Sequence, residues 1–162
     1  MTATSAHSTE TATTPGPRSR AGRRRDTERR LAGDVDLWVA TASTEGMPYL
    51  VPLSFDWDGA TLLVATPTAS PTGRNLAASR TVRLGLGATR DVTMIDGDVE
   101  VLDLSALPAE RGDRFAARTG FDPRTLATPY RWFRITPRRI QAWREADELT
   151  GRDLMRDGHW LA

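Results

Sequence analysis

"LLVATPTASPTGRNL", residues 62–76, is the stretch on which the fold turns. An apolar run, Leu62-Leu63-Val64, enters a segment crowded with Ser and Thr hydroxyls and broken by Pro67, Pro71 and Gly73. The chain then turns helical at Arg74-Asn75-Leu76. Prolines and glycine make a loop, and loops collect Ser and Thr. Hydroxyls, the unpaired amides of a helix's first turn and an Arg also make an anion site. Taken alone, the stretch allows both readings.

Working outward, strand signals surround it. "DLWVATAS" (36–43) is rich in β-formers and precedes the turn "TEGMP". In "YLVPLSFDW", Tyr49, Val51, Leu53, Phe55 and Trp57 fall on one face with a period of two. Asp58-Gly59 is a hairpin signal leading into "TLLVAT". In "TVRLGLG", Val82, Leu84 and Leu86 alternate with Arg83, Gly85 and Gly87, and the glycines point to a bent or closely approached strand. "VTMIDGDVEVL" reads either as a hairpin at Asp96-Gly97 or as one long bent strand. A helix is expected over Leu107–Arg118, with Pro108 near its start and Gly120 beyond its end. "YRWFRITPRRIQAW" reads as a strand interrupted at Pro137, and a shorter helix is expected over Asp26–Leu31, stopped by Gly33. Most links are too short for parallel crossovers, so five or six antiparallel strands argue for a small barrel, mainly β with minor α.

Composition narrows the chemistry. The 162 residues suggest one domain, and 39% hydrophobic residues suffice for a core. Net charge is +1, which gives no global footprint for nucleic acid. There is no Cys, and all 22 basic residues are Arg, so thiolate sites, a Schiff-base lysine and a Walker lysine are excluded. His7 and His159 are the only histidines, too few for a His-rich metal site or a Ser-His-Asp arrangement. An enzyme of this composition relies on a bound cofactor, and no metal site is proposed.

Residues 1–25 form an Arg-, Ser- and Thr-rich tail expected to be disordered, with 26–162 as the folded domain. Residues 1–30 hold seven Arg against Glu10, Asp26 and Glu28, so they carry +4. The arginines suit a nucleic-acid arm or a twin-arginine signal; the signal needs an apolar segment that "DTERRLAGDVD" does not supply, and a solvated tail is the preferred reading. No run approaches the roughly 20 apolar residues of a membrane span, so a soluble, cytoplasmic chain is expected.

Four stretches, "VATASTEGMPYLVPLSFDW", "LLVATPTASPTGRNL", "VRLGLG" and "RITPRRIQAWRE", together resemble the pyridoxamine 5′-phosphate oxidase-like split barrel of flavin-binding proteins over residues 27–162. The resemblance implies a six-stranded antiparallel split β-barrel with two or three short helices. It also implies a homodimer holding two FMN or F420 molecules across its interface, and hydride transfer to a small organic acceptor. On this chain it places Thr66, Ser70, Thr72, Arg74 and Asn75 at the cofactor phosphate. Pro52 and Ser54 fall on the strand beside the flavin, and Trp143 and Arg152 are matched to a C-terminal Trp and Arg that reach flavin and substrate. Catalytic residues remain unassigned, because the cofactor ring carries the hydride.

Pro71-Thr72-Gly73 stands where the family often has a Lys or Arg after the Ser. Loss of that cation is expected to weaken phosphate binding by about 1–3 kcal/mol. FMN suits a loop built for one phosphate; F420 is the alternative, its longer anionic tail needing an arginine groove from Arg74, Arg80, Arg138 and Arg139. The residues that specify pyridoxal phosphate are not recognisable, so vitamin B6 synthesis is not expected. A flavin or haem carrier without turnover is the reading from another class, with His159 as the haem candidate.

Overall fold

The period-two alternation is what closes the fold. In the computed structural model, which describes residues 16–162, strand β1 (Asp36–Ala42) buries Leu37, Val39 and Thr41. Strand β4 (Thr81–Ala88) buries Val82, Leu84 and Leu86 in the same way. With β2 (Pro48–Trp57), β3 (Leu62–Pro67), β5 (Asp91–Leu102) and β6 (Tyr130–Arg144), the strand order is β3-β2-β1-β4-β5-β6. Pairing of β3 with β6 shuts the ring. The result is a closed six-stranded antiparallel barrel with three α-helices, α1 (Arg20–Gly33), α2 (Pro71–Ser79) and α3 (Ala109–Thr119). A hairpin of β7 (Asp153–Arg156) and β8 (His159–Trp160) extends the sheet beyond β6.

Strand β3 departs from alternation because both its faces are covered. Leu62 and Val64 fill the barrel with Phe55, Leu84, Ile95 and Ile135. Leu63 and Ala65 pack outward in a second cluster with Leu107, Phe115 and Trp132. The Phe115 and Trp132 rings meet edge to face, 4.9 Å apart.

The long fifth segment is one strand, and the hairpin alternative at Asp96-Gly97 is not realised. Gly97 serves a close approach: a Cβ there would lie 2.7 Å from Ile135 Cγ2. Strand β6 likewise continues through Pro137, contrary to the expected interruption. Asp96 pairs with Arg139 and Gly97 with Pro137, which leaves Arg138 as the extra residue of a bulge, and proline needs no ladder amide there.

Helix α1 begins at Arg20, six positions ahead of the expected start, with Ser19 as its N-cap. Arginines of the tail fold inward. Arg18 bonds Asp26 at 2.9 Å, Asp91 at 2.7 Å and the fully buried Glu148 at 2.8 Å. Arg23 is buried and donates to the carbonyls of Glu148 and Gly151. Arg30 pairs with Asp91, and Arg24 lies over the Trp160 ring. These side chains hold α1 to the barrel. The rest of the expected disordered tail, residues 1–15 with His7, lies outside the described residues.

Candidate functional site

The hydroxyl loop folds as a tight helix cap. Ser70 is the N-cap of α2: its Oγ accepts the Gly73 amide at 3.0 Å and donates to the Pro67 carbonyl at 2.8 Å. The Thr66 hydroxyl meets it at 3.0 Å. A Cβ on Gly73 would sit 2.3 Å from the Pro67 carbonyl oxygen, so only glycine lets the loop close onto the helix. Pro71 at the first helical position has no amide, and the Arg74 amide bonds the Ser70 carbonyl at 3.0 Å. The Thr72 amide is left without a partner among the described residues.

The side chains therefore divide. Thr66 and Thr72 are buried, while Arg74 is exposed and turns its guanidinium back onto the Ala69 carbonyl. Asn75 is not a cap: it is buried and donates to Thr41 Oγ1 at 3.0 Å, strutting α2 against β1. What reaches an anion at this helix mouth is the Thr72 amide, the Arg74 guanidinium and two hydroxyls that can exchange partners, aided by the positive end of α2. That donor set fits one phosphate group. It does not distinguish FMN from F420.

Pro52 and Ser54 point outward, since Val51 and Leu53 pack against the barrel core. Ser54 donates to Asp36 at 2.6 Å, and Pro52 lies opposite Trp38. Around them the outer face of β1, β2 and β4 is apolar and uncovered: Met47, Trp38 and Leu50 are 66%, 51% and 59% exposed. A groove of about 210 Å³ runs there between Trp38, Leu50, Gly85 and Met94, where the glycines of β4 leave room. It gives way to a larger groove of about 510 Å³ bounded by Thr41, Ser43, Ser79, Thr81, Arg83 and Arg138. Arg83 is held there by Asp96, through bonds of 2.6 and 2.9 Å. Arg80 ends α2 in the left-handed region and bonds the Ala77 carbonyl, so it does not join Arg74 at the other end of the helix.

Trp143 and Arg152 do come together, with the guanidinium 5.2 Å from the ring centre. They do not join the loop. Thr66 pairs with Arg131, twelve residues before Trp143 on β6, or up to about 40 Å along a strand. Within one chain these groups lie apart on β6. Sequence reasoning passed over the neighbours of Arg152, which include Arg156, the buried Asp153 and the turn at 149–151. The repeated "GRD" and "MRD" were the available signal.

The family model described as pyridoxamine 5′-phosphate oxidase matches residues 31–144. Among solved structures, an F420 reductase is 20% identical over 70% of this chain and 94% of its own, with a TM-score of 0.57. A putative pyridoxamine 5′-phosphate oxidase from Listeria innocua is 13% identical over 73% and 95%, with a TM-score of 0.59. HutZ, a heme storage protein from Vibrio cholerae, is 15% identical over 74% and 93%, with a TM-score of 0.58. At such identities the likeness is one of fold. None of the curated proteins matches the chain. The family match, in contrast, spans every strand of the barrel from β1 to β6, and the chain belongs to the pyridoxamine 5′-phosphate oxidase family.

Proposed function

We propose that the protein is an oxidoreductase using a flavin or deazaflavin, working in the cytoplasm as a homodimer with FMN at its interface and passing hydride to a small organic acceptor. The observation that carries this reading is the uncovered apolar face of Trp38, Leu50, Gly85 and Met94. A second subunit laid on that face would exclude water from a ring bound beside Pro52 and Ser54, while Thr66, Ser70, Thr72 and Arg74 hold its phosphate. The cofactor supplies the hydride chemistry. The chain binds, orients and shields it.

F420 is the alternative cofactor, and the shared fold with an F420 reductase favours keeping it. A carrier without turnover is the other alternative, supported by the shared fold with HutZ. His159, the haem candidate, is exposed in the β7–β8 hairpin with Nδ1 2.8 Å from the Asp157 carbonyl oxygen. The deciding experiment is titration of the protein with FMN and with F420 by fluorescence. Arg74→Ala is expected to weaken binding by about 2 kcal/mol, roughly thirtyfold. A protein with no affinity for either molecule ends this reading.

A further inference from the structure

We infer that Arg30 and Arg18 are positioning residues: they reach from the α1 segment to Asp91, fix the β4–β5 turn, and so set the wall of the apolar groove beside Trp38. The inference rests on the reading that this groove takes the cofactor ring. The turn is poorly built to hold itself. Its tip is Thr89-Arg90, between the paired residues Ala88 and Asp91, and neither tip residue has a positive φ. Two-residue hairpin turns match the twist of their strands when φ is positive at the tip, and other turns splay the strands. This tip therefore needs a hold from outside.

The two arginines supply it. Arg30 Nη2 donates to Asp91 Oδ2 at 2.6 Å and Arg18 Nη2 donates to Oδ1 at 2.7 Å, so both oxygens of one carboxylate are taken. Their side chains are 20% and 17% exposed, which limits screening by salt. Each is anchored in turn. Leu31, next to Arg30, is buried in the barrel core, and Arg118 donates to the Leu31 and Ala32 carbonyls. Arg18 also grips the buried Glu148. Gly87 links this hold to the groove. It lines the hollow under Leu50 and Met94 and a second one of about 180 Å³ beside Asp36 and Pro52, and Trp38 borders both. A Cβ on Gly87 would lie 2.9 Å from Arg30 Nη1 and 2.6 Å from the Asp91 carbonyl oxygen, so the guanidinium backs onto this part of the wall. Arg30 lines neither hollow and acts through Asp91 and Gly87. Residues 18 and 30 both precede the span that the family model matches.

The test uses the full-length protein labelled with 5-fluorotryptophan, each of its five tryptophan signals being assigned by replacement with Phe. Arg30→Gln should move the Trp38 fluorine signal and weaken FMN binding about fivefold, while the signal of the fully buried Trp132 stays in place. Arg30→Lys keeps a cation for Asp91 and should restore both readouts. Asp91→Asn should weaken FMN binding at least as much, and adding Arg30→Gln to it should change little, because both break one contact. Asp91→Asn also carries the test if Arg30→Gln does not fold. An unmoved Trp38 signal in these variants overturns the inference. So does an unchanged FMN affinity where Trp38 has moved. A joint shift of Trp132 assigns Arg30 to stability alone and overturns it as well. A parent protein without FMN affinity ends the flavin reading, and the fluorine signals still decide whether the arginines set the groove wall.

Discussion

Replacing Glu148 with Gln should remove the share of this fold's acid sensitivity that comes from the clasp on α1. Glu148 is fully buried and accepts from the Arg18 amide at 2.7 Å, from Arg18 Nε at 3.0 Å and Nη2 at 2.8 Å, and from the Arg144 amide at 2.6 Å. The side-chain bond from Arg18 is the main reason that its pKa lies at about 2 instead of 4.5; burial opposes the shift, and the two backbone amides add to it. A depression of that size corresponds to about 3 kcal/mol of stability at neutral pH. The sign follows from the direction of the shift. Stability is fully present above the ordinary value of 4.5 and is lost as pH falls toward 2. Urea unfolding at pH 7, 5, 4 and 3 should find Glu148→Gln about 3 kcal/mol less stable at pH 7, with the gap closing at pH 3. Other depressed carboxylates, such as Asp58 and Asp153, titrate in both proteins and cancel in the difference. Parallel stability profiles for the two proteins would refute the assignment of this pair as the clasp on α1.

Gly73→Ala should lower the melting temperature, because its Cβ would collide with the Pro67 carbonyl oxygen at 2.3 Å; about 1–3 kcal/mol is expected. Asp56→Ala should cost about 1–3 kcal/mol in urea unfolding, since it removes the buried carboxylate that joins Arg111 and Arg114 while Arg111 keeps Asp58. Arg114→Ala should cost under about 1 kcal/mol, because that partner of Asp56 is 48% exposed. If the face around Trp38 is the subunit interface, Leu50→Asp should halve the mass measured by light scattering while the melt stays cooperative; an unchanged mass moves the interface elsewhere.

Much of the fold was legible in the chain because period-two patterning is a local property. Val51 to Trp57 and Val82 to Leu86 announce which face is buried, whatever they are buried against. The Asp58-Gly59 turn and the caps of α3 are local in the same way. Where two distant segments share a constraint, the sequence was silent. Gly97 reads as a turn until Ile135 is seen packed against it, and Pro137 reads as a break until the bulge accommodates it. The tail arginines look solvated until Glu148 and Asp91, far along the chain, turn toward Arg18. The loop at 66–76 shows the same division at the site. Its residues determined a helix cap and a potential anion mouth. Only the tertiary structure decided that Ser70 spends its hydroxyl on the cap, that Asn75 braces β1, and that Trp143 and Arg152 sit with Arg156 at the other end of β6. A side chain's partner is set by which strands the barrel brings alongside, and no local pattern carries that information.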